Sequence, residues 1–163
     1  MKKHELTDDT ITVGGRILHR IKALKSFSDV EEGDLGGYVE KEDNLNQSGN
    51  AWVYGNAWVY GNARVYGDAR VYGNARVSGN ARVSGNAWVS GENDYTTAKG
   101  FGREYRTTTF FRLKDGGIGV RCGCFYGTLD EFRKKVKETH KESKLGKEYL
   151  MLADLMEYKF KNE

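Results

Sequence analysis

The sequence has no proline, two cysteines and three histidines among its 163 residues. No apolar run approaches the ~20 residues that a membrane-spanning helix requires, so no membrane helix is expected. The opening MKKHELTDDT has two lysines with no apolar stretch behind them, which argues against a signal peptide. Cys122 and Cys124 are one residue apart, too close to make a useful structural staple, and their scarcity points to a reducing, cytoplasmic compartment. The formal net charge of +3 is too small to imply a nucleic-acid partner. Twenty-one glycines without any proline are unlike a disordered linker, so the glycines are read as structural.

What fills the chain is a repeat of period six. Valine recurs at Val53, Val59, Val65, Val71, Val77, Val83 and Val89, with alanine two places before each. Gly-Asn or Gly-Asp separates successive units, as in GNAWVYGNAWVYGNARVYG. Ala and Val two apart share one face of an extended segment, and the residues between and after them share the other. The glycine pair turns the chain at each corner, since both of its residues tolerate positive φ. A helix would place its apolar residues near a 3.6 period, which excludes that reading. Stacked coils of parallel strands explain the pattern, with a narrow interior filled by Ala and Val.

These units resemble the hexapeptide-repeat family. The resemblance implies a left-handed parallel β-helix with three units per triangular coil. Val39 and Leu45 fall on the alanine register upstream, and Tyr95 and Phe101 continue the valine register downstream. The expected fold is therefore mainly β, a parallel β-helix of about three to four coils over residues 37–101. An N-terminal strand and loop cap would cover residues 1–36, and a C-terminal α+β cap residues 102–163. In the latter, TTTFFRL, KDGG and IGVRCGCF read as a β-hairpin, and Thr128 with Glu131 as the capping box of a first helix. A second helix covers KEYLMLADLMEYKF, with Leu150, Leu152, Leu155 and Met156 expected to pack back on the hairpin. The lead-in, repeats and tail together resemble small hexapeptide-repeat proteins encoded by phages and prophages.

Coils of eighteen residues would align the outward residues in columns. Trp52, Arg70 and Trp88 form one, Trp58 and Arg76 a second, and Arg64 and Arg82 a third. Tyr54 and Tyr72, Tyr60, and Tyr66 run beside them. Guanidinium over indole is attractive, so the first two columns are self-consistent. Their aromatics make a larger apolar patch than a monomer leaves in water, and the family commonly forms trimers. The expected oligomer or partner interface is Trp52, Tyr54, Trp58, Tyr60, Arg70, Tyr72, Arg76 and Trp88, in a homotrimer. Like charges stacked at Arg64 and Arg82 are unfavourable unless an anion lies between them. Arg64, Tyr66 and Arg82 are therefore the candidate ligand-binding residues, with guanidiniums for a phosphate or carboxylate and a ring for a base.

Hexapeptide β-helix enzymes lean on histidine as base or metal ligand, yet His4, His19 and His140 all lie outside the repeat. No catalytic residue, metal site or cofactor is assigned. Ile118, Val120, Cys122 and Cys124 alternate, so both thiols are expected on the core face of a strand. The basic run Arg133 to Lys141 alternates with glutamates and reads as a solvated helix face. The expectation is a non-enzymatic, phage-type protein that assembles through its β-helix faces and sequesters a small anionic ligand, such as a nucleotide signal of host defence. An atypical acyltransferase and a purely structural assembly component are the competing readings.

Overall fold

The computed structural model describes residues 1–161; Asn162 and Glu163, the end of the expected C-terminal cap, lie outside them. Strands β1 (His4–Val13) and β2 (Arg16–Ala23) form an antiparallel hairpin. Its two-residue turn is Gly14-Gly15, with φ of 54° and 81°, the positive pair that a tight hairpin turn requires. Strand β3 (Leu35–Val39) pairs antiparallel with β2 and, by its other edge, parallel with the repeat region.

The repeats form seven two-residue strands: β4 (Trp52–Val53), β5 (Trp58–Val59), β6 (Arg64–Val65), β7 (Arg70–Val71), β8 (Arg76–Val77), β9 (Arg82–Val83) and β10 (Trp88–Val89). They stack in parallel columns, β4 on β7 on β10, β3 on β5 on β8, and β6 on β9. The register pairs Trp52 with Arg70, Trp58 with Arg76 and Arg64 with Arg82, the eighteen-residue spacing expected from the sequence. Backbone amides reach carbonyls of the next layer, as in Trp52 to Ala69 at 3.1 Å, Arg64 to Ala81 at 3.0 Å and Arg70 to Ala87 at 2.8 Å. The seven alanines and seven valines are 0–1% exposed and form a continuous core.

The upstream register differs from the expected one. Val39 pairs with Val59, and Leu45 bridges to Val65, offsets of twenty residues. Both side chains thus occupy valine slots, because the step from Leu45 to Val53 holds two more residues than the others. Buried Asn44 stabilises this irregular first layer. Its Nδ2 donates to Ala63 O at 2.9 Å and Gly61 O at 3.2 Å, while its Oδ1 accepts from the Lys41 amide at 2.8 Å. Buried Lys3 donates from Nζ to Ala51 O at 2.7 Å, and burial pushes its amine down to about 8.

Downstream, Tyr95 and Phe101 do not add a further coil. They lie in β11 (Tyr95–Phe101), which joins β12 (Arg106–Arg112), β13 (Ile118–Cys122) and β14 (Phe125–Thr128) in an antiparallel sheet. Tyr95 still closes the repeat, its ring against the solenoid core and its hydroxyl donating to Arg76 O at 2.8 Å. Neighbouring side chains of β12 alternate between two cores. Phe111 enters the solenoid core, and Phe110 enters a second core beneath helices α1 (Leu129–His140) and α2 (Lys144–Lys159). Thr128 caps α1 as expected, its Oγ1 accepting from the Glu131 amide at 3.2 Å and its own amide donating to Glu131 Oε1 at 2.9 Å. The buried face of α2 is Tyr149, Leu152, Ala153 and Met156; Leu155, expected there, is 57% exposed.

Corner geometry makes one substitution decisive. Gly67 has φ +68°, and a Cβ on it would lie 2.9 Å from the Gly85 amide nitrogen in the next layer. Gly91, outside the positive-φ region, has open space around it. Gly67→Ala should lower unfolding stability by about 1–2 kcal/mol or more, whereas Gly91→Ala should be close to neutral, as read by urea denaturation.

Candidate functional site

The Arg64 and Arg82 side chains stand one above the other on the third column, and both are exposed. The C-terminal sheet packs beside them. Arg82 donates its backbone amide to Thr109 Oγ1 at 3.0 Å, and Ala87 bridges to Leu113. Thr109, Arg121 and Tyr126 are successive cross-strand partners, so they share the sheet face opposite the helices, the face turned to the solenoid. Arg121 consequently lies with its guanidinium 5.4 Å from the centre of the Tyr66 ring.

A cleft of about 840 Å³ separates the two units. Lys41, Asp43, Asn62, Arg64, Asn80 and Arg82 line its solenoid wall; Glu104, Arg106, Thr107, Arg121 and Cys124 line the sheet wall. A second cavity of about 370 Å³ shares Asp43, Arg64, Arg82 and Arg121 with it and adds Tyr66, Gln47 and Glu42. Five basic side chains face two acidic ones in the larger cleft. Among the described residues, Arg64, Arg82, Arg106 and Arg121 make no ion pair with a carboxylate.

Hydrogen bonding adds a second feature to the same place. Among the described residues, four buried side-chain nitrogen or oxygen atoms lack a partner: His4 Nδ1, Tyr66 Oη, Ser84 Oγ and Arg121 Nε. Ser84 follows β9 as Tyr66 follows β6, so the two stack in adjacent layers, and Arg121 covers the Tyr66 ring. Three of the four orphaned atoms therefore belong to residues of the third column or of the strand packed on it.

Arg64, Tyr66 and Arg82 thus line one cavity, the smaller of the two. Lys41, Arg106 and Arg121 were missed by sequence reasoning. Arg121 alternates with the inward Val120 and Cys122, which puts it on the outer face of its strand, but no periodicity ties that face to the third column.

The other columns are differently occupied. Trp52, expected on the outer surface, is 1% exposed. The N-terminal unit covers it, with Phe27 edge-on at 5.3 Å and His4 at 6.4 Å. As placed, Trp52 offers nothing to a second chain. Trp58, Tyr60, Tyr54, Arg70, Tyr72 and Trp88 are half-buried and Arg76 exposed. Arg76 stacks 4.1 Å from Trp58, Arg16 lies 5.8 Å from Tyr60, and Arg70 lies 5.6 Å from Trp88. Tyr54 Oη and Arg70 both donate to Asp29, at 2.9 Å and 3.0 Å. Much of the expected apolar patch is covered within the chain.

The thiols separate. Cys122 packs against the second core, whereas Cys124 is exposed, because Gly123 with φ +59° turns the chain and ends the alternation. Among the described residues no group of three or more His, Cys, Asp or Glu is arranged to hold a metal. No helix among them is long and apolar enough to cross a membrane.

The repeat strands match a known pattern. The model of the YdcK beta solenoid repeat matches four overlapping stretches, residues 57–73, 63–77, 69–85 and 75–91. The chain is a β-solenoid repeat protein. The matched stretches include Arg64, Tyr66 and Arg82 but not the sheet wall of the cleft. No curated protein matches the chain.

The histidines of this solenoid protein lie apart from the cleft. His19 Nδ1 sits 3.0 Å from Thr7 O, and His140 lies beside Tyr149. His4 is fully buried, and burial, reinforced by the charge on Lys3, pushes it down to about 4 from the usual 6.5. Between those values the unfolded chain binds the proton and the folded chain does not. Stability from this group is complete above pH 6.5 and falls as pH drops towards 4, by up to about 1.4 kcal/mol per unit. Urea midpoints measured from pH 7 to 4.5 should fall in the wild type and fall less steeply in His4→Phe, which keeps the ring beside Trp52.

Proposed function

We propose that this β-solenoid protein is a non-enzymatic binding protein that holds a small anionic ligand, nucleotide-like in its charge, in the cleft between the third column and the C-terminal sheet. The observation that carries the proposal is the stacked pair Arg64 and Arg82, without a carboxylate partner among the described residues, joined by Arg106 and Arg121 from a separate unit. Four guanidiniums about one space repel each other, and a bound anion relieves that repulsion. Guanidinium forks also suit the planar, bidentate recognition of phosphate or carboxylate. The Tyr66 ring lines the smaller cavity beside Arg64 and Arg82.

Sequestration of a signal molecule, phage origin and a left-handed coil belong to the same proposal and rest on the resemblance of the repeats and flanks. Assembly into a homotrimer is part of it too, through the outer faces that carry Trp58, Tyr60, Tyr72, Arg76 and Trp88. The test uses pyrophosphate and ADP as probes in isothermal titration calorimetry. Wild-type protein should bind both, and the Arg64→Ala, Arg82→Ala double variant should lose at least tenfold in affinity while its native mass stays that of the wild type. Unchanged affinity in the double variant would remove the cleft from the function. A native mass of one chain for the wild type would remove the trimer and leave the cleft.

A further inference from the structure

The arginine cleft is not closed at its outer end. Glu104, Arg106 and Cys124 line it and also line a neighbouring pocket of about 300 Å³. The character of the wall changes across those three residues. Beyond them Phe101, Phe125, Phe132, Val136 and Tyr149 supply most of the wall, alongside Arg103, Lys135, Thr139 and His140. Phe132 lies 5.8 Å from Phe125 and 5.5 Å from Tyr149, ring centre to ring centre, so the aromatics form one continuous surface. Phe101 and Phe125 remain only half-buried, leaving that surface open to solvent.

Arg106 stands at the junction. Its guanidinium lies against Gly123, at a turn where a Cβ would collide with it. The glycine therefore lets a cation occupy the boundary between the polar and apolar spaces. Exposed apolar surface costs free energy in water, and a pocket that joins a polyarginine cleft is suited to a molecule with both characters.

We propose that the bound anion carries an apolar group: its charged head lies among Arg64, Arg82 and Arg121, and its alkyl or aryl part passes Arg106 into the aromatic pocket. This rests on the anion-binding reading of the cleft and specifies the ligand class as an anionic amphiphile, such as an organic phosphate monoester. The surface that the pocket exposes is mainly apolar, which favours an apolar occupant over a base.

The test is calorimetric titration of the full chain with pyrophosphate and with methyl, butyl and hexyl phosphate. Affinity should rise by about fourfold for each methylene buried, until the pocket is filled. Thr139 is an exposed residue on the α1 side of the pocket. In Thr139→Trp, which fills that space, the gain from methyl to hexyl phosphate should vanish while methyl phosphate binds as in wild type. Equal affinity of wild-type protein for methyl and hexyl phosphate would overturn the inference and leave the cleft reading standing. A chain-length gain that survives Thr139→Trp would also overturn it, placing the tail elsewhere. Failure of both pyrophosphate and methyl phosphate to bind wild-type protein would overturn the cleft reading and the inference with it.

Discussion

The architecture depends on a backbone ladder that, through the repeats, closes every eighteen residues. An amide such as that of Trp52 finds the Ala69 carbonyl because eighteen residues bring the chain back to the same column one layer later. Ala and Val in alternation fill the interior of the repeat coils, and the corners bring backbone against backbone. Side-chain packing and backbone pairing therefore impose the same period, which is why the repeats are so uniform in sequence.

The ladder also creates the need for its ends. The first layer is irregular, and its missing backbone partners are replaced by side chains: Asn44 serves two carbonyls, and the Lys3 amine reaches the carbonyl of Ala51. At the last layer, Tyr95, Phe111 and Leu113 pack over the core. Covering that layer has a second effect. The sheet that supplies Phe111 carries Arg121 on the same face, so closing the solenoid also builds the far wall of the cleft.

The solenoid and its columns were legible because a period of six fixes both which residues face inward and which residues stack. Arg64, Tyr66 and Arg82 emerged from that arithmetic as a stack of like charges with a ring beside it. Arg106 and Arg121 did not, since their position depends on how a separate sheet docks. Trp52 marks the same limit: periodicity says that it points out of the coil, not that the N-terminal unit will cover it. A count of six places Val39 and Leu45 in alanine slots, because the two extra residues before Val53 leave no mark in the composition of the segment. Cys124 left the expected face because one glycine with positive φ interrupts an alternation that the letters alone appear to continue. Leu155 stands outside the buried face of α2, which runs through Tyr149, Leu152, Ala153 and Met156.

Three columns and a docked sheet give the molecule a phase. Adding a whole coil of three units would lengthen the stack and return the C-terminal sheet to the column it now faces. Adding or deleting a single unit would carry the sheet to the neighbouring column, where Arg106 and Arg121 would oppose a different row of side chains. The number of repeats is thus constrained by its remainder after division by three, and a lineage could change the height of this solenoid freely in whole coils without moving the cleft off its arginines.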